Sequence, residues 1–192
     1  MAHLVFGRDE VLIEWAARQM PLIRDGKAFG PAKAVGVSAG PDPSDRLWAV
    51  CVFHGYDPGF KVCQISMAAA NPRWASKDTI RQLLAIPFVQ YGCWKVFTTT
   101  PHTSERTIDF NRAIGFTKEA VLSDQFGPGV HAVICRMRLS DYRFRYLNEP
   151  EFKAYSDETP SQRKRRRQAM KRPAPKKEQR IGEEFALSAA RA

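Results

Sequence analysis

The stretch from Phe60 to Thr100 constrains the fold more than any other. It reads FKVCQISMAAA, then NPRW, then SKDTIRQLLAIPFVQYG, then CWKVFTTT. The first and last runs are short, apolar and rich in residues that suit a pleated surface. The run between them is long enough and periodic enough for a helix. Strand, helix, strand in that order implies a parallel pair joined by a crossover, with the helix packed on one face of the sheet. Pro87 falls inside the helical run. It lacks an N–H for the backbone ladder, so a bend is expected there.

The chain before this unit predicts an antiparallel meander. AHLVF reads as a first strand. RDEVLIEWAARQM reads as a helix, with Val11, Trp15 and Arg18 at helical spacing and Pro21 just past its end. KAVGVSA and RLWAVCVFHGY read as strands joined by the turn-forming GPDPSD, which makes a hairpin. After the crossover unit, SERTIDFNRAI reads as a helix stopped by Gly115. FTKEAVL and HAVICRMRL read as two more strands, and SDYRFRYL adds a turn of helix. The order β-α-β-β-β-α-β-α-β-β gives an α/β fold of the α+β kind, a mixed sheet flanked by helices.

Charge separates this domain from the C-terminal stretch of the chain. From Ser156 onward there are eleven Lys and Arg against five Asp and Glu, out of 30 and 20 in the 192-residue chain. The sequence SQRKRRRQAMKRPAPKKEQR has almost nothing to bury, so it is read as a tail outside the fold. The expected organisation is a domain over 1–146, a connecting segment over 147–155 and a basic tail over 156–192. The final GEEFALSAARA could form a short helix. No run of about 18 apolar residues occurs, so no membrane-spanning helix is expected. The first fifteen residues lack the basic and apolar regions of a secretory signal. Cys51, Cys63, Cys93 and Cys135 each sit in an apolar or strand-like run without CxxC spacing. They read as buried free thiols in a reducing, cytoplasmic compartment, and no metal site is expected.

The ordered segments resemble the GNAT N-acetyltransferase superfamily over about residues 1–146. SERTIDFNRAIGF resembles the family's helix that ends in Gly-Phe, and GFTKEAVLSDQFGPGVHAVICRM resembles its continuation into a last strand ending in Met. PRWASKDTIRQLLAIPFVQYGCWKVFT is similar to small acetyltransferase-like proteins of bacterial viruses and prophages. The resemblance implies a splayed sheet and an acetyl-CoA site in the splay. It implies cofactor contacts from Met67, Ala68 and Ala69 on the strand, from Arg73, Ser76, Lys77 and Thr79 around the next helix start, and from Ser104 and Asn111. The family's phosphate loop has the form R/Q-x-x-G-x-G/A; here Arg73 keeps the first position, while Ser76 and Asp78 replace both glycines. Ser76 and Asp78 also suit ordinary helix capping. Ser104 stands where the family has an asparagine and reads as a cap with cofactor contact as an addition. Asn111 stands where the family often has a tyrosine.

No side chain announces itself as the base that acyl transfer to an amine requires. The strand offers Gln64 and Ser66. Glu119 follows Gly-Phe and reads as structural. His54 and His102 either face the cleft or lie on the surface, and the surface reading is the simpler. Two functions are therefore expected from different classes. One is an acetyl-CoA-dependent N-acetyltransferase acting on an amine of a protein or small molecule. The other is a GNAT-fold structural or interaction protein without turnover, a phage virion component by the second resemblance, placed in host cytoplasm or virion. In that case the tail (Arg163, Lys164, Arg165, Arg166, Arg167, Lys171, Arg172, Lys176 and Lys177) contacts nucleic acid or neighbouring subunits. Deleting 156–192 is expected to leave the melting temperature nearly unchanged and to abolish association with that partner. Differential scanning calorimetry and a binding titration at two salt concentrations check this. Steep salt dependence identifies a nucleic-acid partner.

Overall fold

The computed structural model describes residues 2–42 and 46–149. The tail with all its basic positions, and most of the connecting segment, lie outside the described residues. The elements run β1 (His3–Val5), α1 (Asp9–Arg18), β2 (Ala32–Ser38), β3 (Leu47–Asp57), β4 (Val62–Ala69), α2 (Lys77–Ala85), β5 (Lys95–Pro101), α3 (Glu105–Ala113), β6 (Thr117–Leu122), β7 (Ala132–Arg138) and α4 (Leu139–Leu147). The seven strands form one sheet in the order β1-β2-β3-β4-β5-β7-β6. Only β4 and β5 are paired in parallel; every other neighbouring pair is antiparallel. The mixed sheet with flanking helices is the expected architecture.

Two cores sandwich the sheet. On one face Leu12, Ala16 and Ala17 of α1 pack on Ala34, Val50, Val52 and Ala68. Helical spacing marks this helix correctly, but the buried stripe is Leu12 with Ala16 and Ala17, and Val11 is 56% exposed. Asp9 fixes where α1 begins: its carboxylate accepts from Ala34 N at 2.8 Å and from Lys33 Nζ at 2.8 Å. Gly36 lets α1 lie this close, because a Cβ there would come within 2.9 Å of Leu12. On the other face α2, α3 and α4 cover Cys51, Cys63, Ile65, Val96, Val133, Cys135 and Met137.

Pro87 does more than bend α2. The helix widens over Ile86–Gln90 into a π turn, in which Tyr91 N bonds Ile86 O at 3.0 Å. A wider turn accommodates a residue that cannot join the ordinary ladder. Pro87 and Phe88 are buried in it.

SDYRFRYL, together with Leu139 before it, forms a nine-residue helix, α4, rather than a single turn. Asp141 accepts from Arg138 N at 2.9 Å at its start. Tyr142 and Tyr146, one turn apart, are both buried. Their hydroxyls donate to Arg81 O at 3.3 Å and Ile114 O at 2.8 Å, so α4 bridges α2 and the end of α3. Gly115 sits under it at φ +104, where a Cβ would come within 2.7 Å of Arg145 Cδ. Arg145 also donates to Ala113 O. Gly-Phe is thus a packing requirement as well as a helix stop. Gly115→Ala is expected to destabilise by about 1–3 kcal/mol through backbone strain, read as a lower denaturant midpoint at unchanged slope.

Candidate functional site

The sheet opens between β4 and β5. Their pairing covers Val62 with Lys95, Cys63 with Val96 and Gln64 with Phe97, and then stops. Beyond that point β4 stays on β3 as far as Ala69, and β5 stays on β7 as far as Pro101. The two strands diverge because each keeps its antiparallel partner.

The hydrogen-bond phase shows what lines the opening. Ala70 N bonds Trp48 O at 2.8 Å across the β3–β4 register. Successive residues in a strand direct their peptide groups to alternate sides. Ser66 and Ala68 therefore spend theirs on β3, Ile65 still reaches Phe97 at the end of the parallel pairing, and Met67 and Ala69 present theirs to the opening. On the other wall Leu139 N bonds Trp94 O at 2.9 Å and His102 N bonds His131 O at 2.9 Å. That sets even-numbered residues of β5 on β7 and leaves Phe97 and Thr99 facing β4. Of the three strand residues expected to meet a cofactor, Met67 and Ala69 offer backbone groups, and the peptide of Ala68 is committed to Val50.

The side chains around the opening divide by face. On the α3 face, Asn111 is 6% exposed, and its amide donates to Thr98 Oγ1 at 3.1 Å and Thr100 Oγ1 at 3.4 Å. It ties α3 to β5. On the α1 face, Gln64 Nε2 donates to Thr99 Oγ1 at 3.2 Å, a side-chain bridge across the floor of the opening. Beside it, His54 Nε2 lies 2.8 Å from Ser66 Oγ. His54 is half-buried within β3, with Phe29 edge-on at 5.2 Å, and is not the surface histidine expected. Removal from water lowers its pKa from the usual 6.5. His102 is also half-buried; its Nδ1 accepts from His131 N at 3.1 Å.

The start of α2 comes next along the chain. Ser76 caps it: Thr79 N donates to Ser76 Oγ at 3.1 Å, and the two hydroxyls lie 2.8 Å apart. The hydroxyls of Ser76 and Thr79 are thereby paired with each other. Asn71 holds the preceding turn by accepting from Arg73 N at 3.0 Å. Asp78 projects outward, its side chain 82% exposed and 3.6 Å from Arg81. Lys77 borders a cavity of about 500 Å³ between α2, α3 and α4, lined also by Ile80, Ala113, Ile114, Arg145 and Tyr146. Ser104 does not cap α3 through its side chain, contrary to expectation. Its ψ of 59 departs from the extended geometry a cap needs, and only its carbonyl serves the helix, accepting from Thr107 and Ile108.

Glu119 pairs with Lys95 Nζ at 3.3 Å. All four cysteines are buried free thiols. Burial raises them, Cys63 to about 12. Among the described residues, no group of three or more His, Cys, Asp or Glu could hold a metal ion, and no helix is long and apolar enough to cross a membrane. Sequence reasoning misses the His54–Ser66 contact. Its signal is present in the alternation of the hairpin, which puts Val52 opposite Ser66 and His54 on the same face.

Solved structures of acetyltransferases share this architecture. The chain is similar to a mutant of the spermidine N-acetyltransferase SpeG from Vibrio cholerae, with TM-score 0.57 and 11% identity over 73% of this chain and 95% of that one. It is similar to a chimera of Vibrio cholerae SpeG and hSSAT, with TM-score 0.58 and 13% identity over 77% and 99%. No family model matches the chain, and no curated protein matches it. The fold is GNAT-like. The buried His54 generates a prediction about stability. The unfolded chain takes up its proton near pH 6.5, and the folded chain resists until lower pH. The unfolded state then binds more protons, so the unfolding free energy is full above about pH 6.5 and falls below it. His54→Gln is expected to remove this part of the slope, read from urea unfolding at a series of pH values.

Proposed function

We propose that the chain is an acetyl-CoA-dependent N-acetyltransferase acting on an amine of a protein or small molecule. The observation that carries this reading is the β4–β5 opening, where peptide groups of Met67 and Ala69 face a gap instead of a strand. Exposed strand edges of this kind take an extended amide-bearing molecule by backbone pairing. The pantetheine arm of the cofactor has that chemistry, and the cofactor supplies an activated thioester. α2 follows β4 through the turn Pro72–Trp74, and the N–H groups of its first turn and Lys77 suit phosphate. Ser76 would serve by shaping this turn, because its hydroxyl is committed to Thr79, its N–H to Trp74 O and its carbonyl to Ile80 N. Asn111 orients α3 against β5 and acts on the site through that packing.

A second reading has its own support. Both glycines of the family's phosphate loop are replaced, and Ser76 and Thr79 satisfy each other. This favours a GNAT-fold interaction module that does not turn over.

Calorimetry of the full chain with acetyl-CoA separates the two. Binding with release of free thiol in the presence of an amine panel supports the enzyme. Absence of binding supports the module. Met67→Pro removes an N–H that no strand accepts and is expected to weaken acetyl-CoA binding about tenfold or more, at the scale of one hydrogen bond left unmade. Asp78→Gly is expected to tighten binding by removing a carboxylate beside the phosphates. Unchanged or weaker affinity in Asp78→Gly places that side chain away from them.

A further inference from the structure

Besides its backbone groups, the opening has a hydroxyl–imidazole pair at its α1 face. Ser66 precedes Met67, the first residue of β4 past the parallel pairing whose peptide group faces the gap. Its own peptide is spent on β3, and its side chain projects to the α1 face. There its hydroxyl meets His54 Nε2 at 2.8 Å. Both residues are half-buried, so neither is sealed in the core nor fully solvated. Gln64 and Thr99 occupy each other on the same floor, which leaves Ser66 as the hydroxyl beside the gap backed by a titratable group.

We propose that Ser66 and His54 form a relay that takes the proton from the acceptor amine, Ser66 touching the amine and His54 receiving the proton through it. This inference rests on the acyl-transfer reading of the same opening. The amine nitrogen forms a bond to the thioester carbonyl carbon, and the carbon–sulfur bond breaks with its electron pair leaving on sulfur. The amine proton passes to Ser66 Oγ as the hydroxyl proton passes to His54 Nε2. The imidazole is then cationic and returns its proton to water or to the departing thiolate.

The surroundings of His54 suit the task. Phe29 packs edge-on from the turn before β2, and Ser66 and Gln64 flank it from β4. Ala32 lies opposite on β2. The shift of His54 arises from desolvation, with no charged neighbour contributing. The ring is therefore neutral, and able to accept, near neutral pH. A pair consisting of a hydroxyl and an imidazole at hydrogen-bond distance is the geometry that proton transfer needs before any question of pKa.

The test uses the full chain and two independent readouts. The ring carbon-bound proton signal of His54, followed by NMR through a pH series without cofactor, gives its titration midpoint. The acidic limb of kcat/KM for acetyl-CoA with the best amine of a panel gives the pKa that matters in the free enzyme. The two are expected to coincide. His54→Gln and Ser66→Ala are expected to lower kcat/KM about 100-fold with acetyl-CoA affinity unchanged. His54→Gln also abolishes the limb. Ser66→Thr, which keeps the hydroxyl, is expected to retain most of the rate. A limb that survives His54→Gln, or one that lies away from the NMR midpoint, overturns the relay and leaves the acetyltransferase reading standing. A wild-type chain that neither binds acetyl-CoA nor transfers the acetyl group overturns both, and it is told apart because the NMR titration of His54 remains intact.

Discussion

The strand pairing that joins the two halves of this sheet is three residues long: Val62, Cys63 and Gln64 against Lys95, Val96 and Phe97. Everything proposed about the site depends on the pairing stopping there. On one side β4 follows β3 through Ala69; on the other β5 follows β7 through Pro101. Each half satisfies its own backbone in antiparallel ladders, so divergence costs only the groups that face the gap. Those groups are what an extended amide ligand could pair with. After β4 the chain turns through Pro72–Trp74 before α2 begins at Lys77, so the crossover brings a helix N-terminus in after the strand that lines the gap.

The architecture is legible in the sequence because it rests on periodicity. The strand–helix–strand run from Phe60 to Thr100 fixes a parallel crossover, and the hairpin before it fixes the meander. The short apolar runs can only be strands at that length and spacing. The sequence understates α4 because Tyr142 and Tyr146 are two aromatics on an otherwise charged stretch. Their value emerges only when α2 and α3 supply carbonyls for their hydroxyls. Pro87 marks a disturbance in the helical run, but nothing local says that the turn widens and keeps Phe88 in the core.

The site is less legible than the fold. Met67, Ala69 and Lys77 come from a motif comparison, and the alternation of peptide groups separates Ala68 from them in a way no motif states. Ser104 and Asn111 show the limit in opposite directions. Ser104 has a capping residue type in a backbone conformation that does not let the side chain cap. Asn111 has the right position in the helix, yet two threonines of β5 claim its amide. His54 reads as a surface histidine and lies inside an eleven-residue strand, half-buried against Phe29. In each case a partner distant in sequence decides what a side chain can do.

The four cysteines gain a meaning outside chemistry at the site. Cys51 and Cys63 sit in the half built on β3 and β4, and Cys93 and Cys135 sit at the threshold of β5 and in β7. Each is at most 2% exposed, and burial keeps each in the unreactive thiol form. A thiol reagent can reach them only when the packing around them opens. The chain thus carries internal tamper seals on both sides of the gap. The order in which they break distinguishes one half loosening by itself from the whole sheet coming apart together.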